Sequence, residues 1–507
     1  MTAVEVPAAA THQSPPQRSL LSRAALYGGA RSVSQGLLAV RGVVLAMLLG
    51  PTAFGAWALV RLVTRHAVFA NLGILRGLEY ELVPRDSAGS DAAGSDAAGS
   101  EAGATADAAA ADAAAAHTLA ARTALGYLLV VFGGLALAGF GLAFAVDDPM
   151  RRLELRAVAG AVLADQLYMY GLVCLRIRGD LRHYARVELI HAAMQVVTVL
   201  LLAWRWGLGG ALTGLILATF AAALFAAPHA ALRPAFDRGA FRRLCGIGIP
   251  VALAQLLSVA ASSVDRWAIA ALGGTTLLGY YSFAAAIAGV GGTGAWVLRT
   301  VVIRDLYGRA RRLGASFALR AHLQDVVRPY AFLYPALLGA AAFAIGPAVA
   351  LVVPRYLPAV EPARLFVFAG AASGLVQLTS VGAVAAQRQR RLPQLFAVAL
   401  LVSGATSVLA LQARLGLGAV ALGALLGQLV VAAGLLGLLA HGAGYRAPVA
   451  RSARLLAPFA WCVVLVLALG HVFAARDLRA GALGLALYAL ALLPLGRGFR
   501  RQFARIS

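Results

Sequence analysis

The 507-residue sequence contains no lysine, and only 13% of its residues are charged. So few charged side chains cannot cover a soluble globular protein of this size, since 61% of the residues are hydrophobic and the mean hydropathy is +0.80. The three cysteines, Cys174, Cys245 and Cys462, lie far apart in or near apolar segments. Their spacing indicates neither a disulfide framework nor a metal site. The composition therefore indicates an integral membrane protein.

Because lysine is absent, arginine supplies all 44 positive charges against 21 acidic residues, and the formal net charge is +23. A charge of this size is also found in nucleic-acid-binding proteins. Here, however, the arginines fall in short loops between apolar runs, which is typical of inner-membrane proteins that are oriented by their cytoplasmic charge. We therefore expect anionic membrane lipids, and not nucleic acid, as partners of these arginines.

A short pattern occurs twice, as GPTAFGAW from Gly50 and as GTTLLGYY from Gly274. The two glycines and the threonine of one copy are each 224 residues from their counterparts in the other. Glycine allows a tight reversal, threonine can cap the following helix, and the aromatic residue suits a membrane–water boundary. Each copy lies near the start of one half of the chain, so the pattern predicts a duplicated membrane protein.

We predict an all-α, polytopic fold with about fourteen transmembrane helices, because a span needs about 20 apolar residues. The predicted spans cover residues 25–48, 53–76, 118–145, 153–176, 185–205, 207–227, 247–272, 277–301, 328–353, 362–386, 392–413, 416–440, 455–474 and 478–495. Arginine-rich loops alternate with arginine-poor loops along this series. The bias predicts a multi-pass protein of the inner (cytoplasmic) membrane with both termini in the cytoplasm.

The spans and loops divide the chain into parts. The predicted parts are a disordered cytoplasmic N-terminus at 1–20, an N-terminal bundle at 21–227, a basic cytoplasmic linker at 228–246, a C-terminal bundle at 247–440 and a further two-helix segment with a basic tail at 441–507. Residues 86–117 interrupt the first bundle with a run of Ala, Gly, Ser and Asp. The run lacks bulky apolar residues, so we predict a disordered cytoplasmic insertion there.

Charged side chains at membrane depth are costly, and each is therefore a candidate functional residue. In the first span, Arg31, Ser34, Gln35 and Arg41 fall within roughly a third of the helix circumference, at about 100° per residue. This polar face is a candidate binding surface. The alternative for Arg31, which lies near the cytoplasmic end of the span, is an anchor in the lipid headgroups.

In the second span, Arg61 and Arg65 are four residues apart and share a helix face. Arg61 lies about midway along the span, so its side chain reaches neither membrane surface easily. Both arginines are candidate binding residues, and the alternative for Arg61 is a buried ion pair with an acidic residue elsewhere. Asp165 is a further charge within the membrane. Glu188 and His191 lie three residues apart near the start of the fifth span, where they form either a proton-coupling pair or a structural contact.

The seventh span carries its own polar stripe, which includes Gln255 and Ser262 and continues into Asp265 and Arg266. Asp265 lies 224 residues after Arg41, so the two occupy matching positions in the two halves. Opposite charges at matching depth could meet across the interface between the halves, and we predict that Arg41 and Asp265 form a gate. The alternative is a local contact of Asp265 with Arg266 or a lipid headgroup.

No catalytic constellation is present in the sequence. The glycine pairs do not follow predicted strands, and no group of histidines or cysteines has the spacing of a metal site. No large extracytoplasmic loop is available to hold a sugar-transferring site, as a membrane glycosyltransferase or an O-antigen ligase would require. We therefore predict that the protein is not an enzyme and uses no cofactor or metal.

Four stretches resemble a known family. They are LLGPTAFGAWALV after the first span, GIPVALAQLLSVAASSVDRWAIAALGGTTLLGYYSFA at 248–284, VVPRYLPAVEPARLFVFAGA at 352–371 and LGLGAVALGALLGQLVVAAGLL at 415–436. With them, most of residues 20–440 resembles the polysaccharide (O-antigen/oligosaccharide) flippases of the multidrug/oligosaccharidyl-lipid/polysaccharide exporter superfamily. The insertion at 86–117 and the lack of lysine depart from that family.

The resemblance implies two pseudo-symmetric bundles around a central cavity that opens alternately to either side of the membrane. It also implies a polyprenyl-pyrophosphate-linked oligosaccharide as cargo, which is moved from the cytoplasmic to the outer leaflet, with a polysaccharide polymerase and glycosyltransferases as partners. In related flippases a cationic cavity receives the anionic headgroup. The substrate-binding candidates in this chain are Arg31, Gln35, Arg41, Arg61, Arg65, Gln255 and Ser262.

Two other cargoes fit the same architecture. A multidrug/cation antiporter would favour acidic residues in the N-terminal bundle, where this sequence has arginines instead. A flippase for a lipid-linked peptidoglycan precursor would share the cationic cavity.

Overall fold

The computed structural model describes residues 17–82, 100–289, 293–472 and 478–503, and within these ranges all regular secondary structure is helical. The α-helices are α1 Gln17–Ala67, α2 Ile74–Leu82, α3 Ser100–Phe144, α4 Pro149–Ile177, α5 Leu181–Ala226, α6 Arg238–Ala261, α7 Val264–Leu272, α8 Gly274–Gly289, α9 Thr293–Leu313, α10 Ala315–His322, α11 Arg328–Val352, α12 Val360–Ala385, α13 Leu392–Gln412, α14 Gly416–Gly442, α15 Pro448–Val472 and α16 Leu478–Phe503. The predicted all-α, polytopic membrane fold is confirmed.

The predicted spans correspond to these helices, although several helices are kinked or divided. Ten helical segments of the described chain are long and apolar enough to cross a membrane. Helix α1 contains the first two predicted spans and kinks at Gly50, whose φ of 73° suits only glycine and is followed by Pro51. Helix α5 contains the fifth and sixth spans and kinks at Gly207. The seventh span is divided between α6 and α7 at Ser262 and Ser263.

Three helices begin at aspartates that cap their first turn. The carboxylates of Asp148, Asp180 and Asp237 accept hydrogen bonds from backbone N–H groups at the starts of α4, α5 and α6, at 2.9, 3.0 and 2.6 Å. Such a cap satisfies a donor that the helix leaves unpaired. Because Asp237 starts α6, residues 238–246 belong to a helix, and the linker predicted at 228–246 is shorter than expected.

The predicted disordered segments are corrected where the structure describes them. Helix α3 begins at Ser100, so residues 100–117 of the predicted insertion are helical. Alanine has the highest helix propensity of all residues, and this stretch is rich in alanine although it lacks bulky apolar side chains. Residues 86–99 lie outside the described residues. The same holds for residues 1–16 of the predicted N-terminus, while residues 17–20 belong to α1.

The two halves of the chain meet where α1 packs against α8. Phe54 of α1 makes edge-on contacts with Phe283 and Tyr356, at ring-centroid distances of 6.4 and 6.2 Å. The hydroxyl of Tyr356 donates a hydrogen bond to the carbonyl of Ala46 at 3.1 Å. The apolar core is therefore continuous between the halves at the end of the bundle that contains the turns at Gly50 and Gly274, called the Gly50–Gly274 end below.

A second contact between the halves lies nearer the opposite end, where α2 packs against α6. A Cβ atom added to Gly73 would overlap the carbonyl of Gly248, and one added to Gly248 would overlap the carbonyl of Gly73. The carboxylate of Glu81 pairs with Arg243 across the same contact at 3.4 Å. Two backbones can approach this closely only because both residues lack a side chain.

The outer surface of the bundle is apolar. Leu137, Phe144, Leu351 and Val449 are each more than three-quarters exposed. Exposed apolar side chains of this size are suited to the hydrocarbon core of a membrane. Helices α15 and α16, in the segment predicted at 441–507, pack against α11, where the hydroxyl of Tyr488 donates to a backbone carbonyl at 3.2 Å.

Candidate functional site

Arg61 and Arg65 lie on the part of α1 that follows the Gly50 kink. Both side chains are accessible to solvent although protein atoms surround them, so they lie on an inner wall of the bundle and not in its packed core. Neither guanidinium makes a hydrogen bond or ion pair with the described residues. Asp165 of α4 interacts electrostatically with Arg61 without direct contact. The ion pair considered as an alternative for Arg61 is therefore absent from this part of the chain, and its guanidinium is available to a ligand.

Arg65 faces the other half of the molecule. Its electrostatic neighbours include Arg61 on its own helix and Asp265 and Arg266 at the start of α7. The cationic surface of α1 therefore adjoins the break between α6 and α7. The sequence analysis had predicted one continuous span there, at residues 247–272. The break brings a charged turn to the interface between the halves.

Arg41, in contrast, is 8% exposed and is held within the first half. Its Nη1 donates to Oε1 of Gln195 on α5, and its guanidinium lies over the ring of Trp57 with its carbon 5.5 Å from the ring centroid. Nε2 of Gln195 donates to Nε2 of His191 at 2.8 Å, and that nitrogen lies 3.3 Å from the hydroxyl of Thr219. Arg41 is thus positioned by a polar network within the bundle, and its buried Nε has no hydrogen-bond partner among the described residues.

Arg31 forms an ion pair that the sequence analysis did not anticipate. Its Nη1 lies 2.7 Å from Oε1 of Glu188, which is 8% exposed, and the hydroxyl of Ser34 donates to the backbone carbonyl of Glu188 at 3.4 Å. The headgroup-anchor alternative for Arg31 is therefore replaced by a contact between α1 and α5. Glu188 is a partner of arginine in this structure, and its second carboxylate oxygen has no partner among the described residues.

The uncharged candidates, Gln35, Gln255 and Ser262, do not contact one another. Gln35 and Gln255 are both exposed, on α1 and α6 respectively. Ser262 caps the end of α6, where its hydroxyl donates to the carbonyl of Val259 at 2.9 Å. It also lines a cavity in the second half together with Asp265. Of the predicted polar residues, Ser262 is the one that the break in the seventh span brings beside a charged group.

The predicted gate between Arg41 and Asp265 is absent from this structure. Asp265 is 2% exposed. Its carboxylate accepts hydrogen bonds from the hydroxyl of Tyr281 at 2.6 Å and from the backbone N–H of Arg266 at 2.8 Å. Arg41 is engaged by Gln195 instead. Matching positions in a repeat place two residues at similar depth, but each side chain is directed into its own half, where it finds a nearer partner.

The two halves are instead in contact through the residues of the repeated pattern, GPTAFGAW from Gly50 and GTTLLGYY from Gly274. The hydroxyls of Thr52 and Thr276, which are 224 residues apart, are hydrogen-bonded at 2.9 Å. A Cβ atom on Gly55 would overlap the carbonyl of Thr275, and one on Gly279 would overlap that of Pro51. The two copies therefore cross each other at equivalent positions. The sequence signal for this contact was the repeat, which predicted the duplication but not that its two copies touch.

The region between the halves carries a surplus of positive charge. Its interacting charged side chains are Arg41, Arg61, Arg65, Arg266, Asp165 and Asp265. Guanidinium groups stay protonated and can bind phosphate oxygens through two parallel N–H groups. This wall can therefore hold an anion at membrane depth. Within the described ranges, no group of three or more His, Cys, Asp or Glu side chains is arranged to hold a metal ion.

No protein-family model matches this sequence, and no curated protein matches it. Solved structures do match its fold. The lipid II flippase MurJ in an inward closed conformation aligns over 94% of this chain and 99% of its own, with a TM-score of 0.66 and 11% identity. An inward-facing multidrug resistance MATE family transporter of the MOP superfamily aligns over 88% and 95%, with a TM-score of 0.59 and 14% identity.

An outward-facing MATE family transporter of the same superfamily aligns over 90% of this chain and 97% of its own, with a TM-score of 0.55 and 15% identity. At these identities the similarity concerns the fold. The chain is a helical, multi-pass membrane protein with the fold shared by MATE family transporters of the MOP superfamily and by MurJ.

Proposed function

We propose that the protein is a flippase that moves a polyprenyl-pyrophosphate-linked oligosaccharide from the cytoplasmic to the outer leaflet by alternating access. The observation that carries this proposal is that the guanidiniums of Arg61 and Arg65 are accessible on an inner wall of the bundle and have no hydrogen-bond or ion-pair partner among the described residues. Hydrocarbon cannot solvate a pyrophosphate, so a protein that moves one must supply the charge and the hydrogen bonds. The lipid tail needs no such enclosure and can stay in the bilayer.

The sign of the charge distinguishes this cargo from a cationic drug. A multidrug/cation antiporter is supported by the fold of the MATE family structures. Its cargo would be repelled by Arg61 and Arg65, for which Asp165 is the only acidic neighbour among the described residues of the first half. A lipid-linked peptidoglycan precursor is also anionic, and the fold similarity to a lipid II flippase favours it as the second candidate.

The orientation of the molecule in the membrane sets the side from which cargo enters. If the arginine-rich loops face the cytoplasm, the Gly50–Gly274 end faces outward. The contacts at Thr52 and Gly55 then close the outer side, and cargo enters from the cytoplasmic side. The arginine-rich loops contact anionic lipids. The other partners are glycosyltransferases and a polysaccharide polymerase, which act on the same glycan. No chemical step is assigned to the flippase itself.

The test is glycan export by Arg61→Ala and Arg65→Ala variants. We expect each variant to lower export about tenfold or more, because an unsolvated pyrophosphate loses a charge-assisted partner. Lysine at either position should restore only part of the activity, since it keeps the charge but not the paired N–H groups. Export is measured as surface glycan per cell, at matched levels of protein in the membrane.

The matched control is Arg151→Ala. The Arg151 side chain is 77% exposed in the first turn of α4, where it pairs with Asp148 at 3.5 Å. This variant should export normally, because an exposed surface pair contributes little. Full activity of an Arg61→Ala/Arg65→Ala double variant would place these side chains outside the cargo path and would refute the proposed role.

A further inference from the structure

A cavity of about 150 Å³ lies in the second half, where α6, α7, α8, α12 and α14 meet. Its polar lining comes from Ser262, Asp265, Arg266, Ser373 and Gln428, and the rest of its wall is formed mainly by small apolar residues. It is separate from the wall that carries the arginines of α1, because every residue that lines it belongs to the second half.

The internal repeat accounts for this space. At the separation of 224 residues, Arg61 corresponds to Ala285 and Arg65 corresponds to Gly289. Both Ala285 and Gly289 line the cavity. Where the first half projects two long cationic side chains, the second half therefore has a methyl group and a hydrogen atom. A Cβ atom added to Gly289 would meet nothing within 4 Å, which shows that the volume beside it is open.

The charge of the cavity suits a neutral ligand. Asp265 and Arg266 contribute one charge of each sign, so neither an anion nor a cation finds a surplus of opposite charge. The side chains of Arg266, Ser373 and Gln428 make no hydrogen bond to protein within the described ranges. The amide, hydroxyl and guanidinium groups of the lining offer donors and acceptors to a ligand that carries several hydroxyls.

The cavity also adjoins the proposed pyrophosphate site. Arg65 on the first half interacts electrostatically with both Asp265 and Arg266, which line the cavity. A cargo whose anionic group is held by Arg61 and Arg65 would therefore present its next chemical group to the second half. In a lipid-linked oligosaccharide, the group attached directly to the pyrophosphate is a sugar.

We propose that this cavity binds the first sugar of the lipid-linked cargo, with Ser373 and Gln428 hydrogen-bonded to its hydroxyls, while the arginines of α1 hold the pyrophosphate. The inference rests on the proposed function and assigns a different part of the same cargo to each half. If this is right, substitutions in the first half should weaken binding of the pyrophosphate, and substitutions in the second half should weaken binding of the sugar.

The test measures binding of two probes to the purified full-length protein in lipid nanodiscs. One probe is polyprenyl pyrophosphate, and the other is the same lipid carrying a single N-acetylglucosamine. The variants are Ser373→Ala/Gln428→Leu, which removes the hydrogen-bonding groups, and Gly289→Leu, which fills the open volume. The control is Gly134→Leu on the exposed face of α3, where an added Cβ also meets nothing within 4 Å.

We expect wild type to bind the glycosylated lipid more tightly than the bare lipid. Ser373→Ala/Gln428→Leu should weaken binding of the glycosylated lipid about tenfold, the loss expected for one or two neutral hydrogen bonds. Gly289→Leu should weaken it to a similar degree because the added side chain occupies the volume that the sugar needs. Both variants should leave binding of the bare lipid within about twofold. The Gly134→Leu protein should match wild type with both probes. Melting temperatures of all variants establish that each protein is folded.

Equal affinity of wild type for the two lipids would overturn the sugar site, as would a cavity variant that weakens both lipids alike. The proposed function survives either result if Arg61→Ala abolishes binding of the bare lipid. If wild type binds neither lipid, the proposed function fails and the sugar site fails with it.

Discussion

At the scale of single residues, the buried carboxylate of Glu188 gives Arg31 a structural partner. Its side chain is 10% exposed and pairs with Arg31 at 2.7 Å, while the Arg31 side chain is 37% exposed. An acid inside a membrane bundle is stable as an anion only when it has a partner. Arg31 therefore has a structural role in joining α1 to α5, and any contact with cargo is additional to that role.

Replacing Arg31 by Leu should destabilise the protein by about 1–3 kcal/mol, less than a fully buried pair because the arginine is partly exposed. The Arg31→Leu/Glu188→Leu double variant should recover most of this loss, because neither charge is then left unpaired. The measurement is the melting temperature of the purified protein.

Export by the same double variant separates the two roles of Arg31. A stable but inactive double variant would assign Arg31 to the cargo path as well as to the ion pair. A double variant that melts below both single variants would contradict the pairing.

At the scale of elements, the crossing of α1 and α8 depends on two glycines that lie against each other's backbone. Gly55 and Gly279 hold equivalent positions in the repeat, and neither can carry a Cβ atom without overlap with the opposite helix. The crossing brings Thr52 to Thr276 and joins the apolar core across the halves. Small residues at such a crossing allow close backbone contact in the absence of a hydrophobic driving force.

Gly55→Ala should force α1 and α8 apart and shift the population away from the state that is closed at the Gly50–Gly274 end. In a Thr52→Cys background, maleimide labelling at position 52 should then rise about threefold or more. Gly36→Ala in the same helix is the control, because a Cβ there meets nothing within 4 Å. Equal labelling of the two alanine variants would show that the crossing tolerates the added methyl group.

At the scale of the whole molecule, the structure is a state that is closed at one end. The threonine hydroxyls at 2.9 Å place positions 52 and 276 close enough for a disulfide between cysteines. In a Thr52→Cys/Thr276→Cys variant, oxidant should stop export by locking this end, and reductant should restore it. Each single cysteine variant serves as the control.

The native cysteines complicate this experiment little, because Cys174, Cys245 and Cys462 are all buried and unpaired. Mass spectrometry confirms which pair has formed. Normal export by protein shown to carry the 52–276 disulfide would mean that this end does not open during transport.

The orientation of the molecule gives a further prediction. Both termini and residues 86–117 should lie in the cytoplasm, because the arginine-rich loops lie on the same side. A cysteine at Ser100 should react with a membrane-impermeant reagent only after the cells are opened. Labelling of intact cells at this position would reverse the orientation and place the Gly50–Gly274 end in the cytoplasm.

The sequence by itself determined the class of fold and most helix positions, because these depend on local properties. Runs of about 20 apolar residues predict spans, and the turn at Gly50 was predicted because glycine allows a tight reversal. The repeat predicted the duplication. Residues 100–117 were misjudged because the absence of bulky side chains was weighted above the helix propensity of alanine. The division of the seventh span at Ser262 and Ser263 left no clear local signal.

Only the tertiary structure decided which side chains meet. Arg31 and Glu188 are 157 residues apart in the chain, and Arg41 and Gln195 are 154 apart. Spacing within one helix shows which residues share a face, but not which helix lies opposite. The predicted contact of Arg41 with Asp265 is absent from this structure for this reason, since a repeat specifies depth and leaves the direction of each side chain to its own bundle. The same packing leaves Arg61 and Arg65 without partners among the described residues, and that availability supports their proposed role.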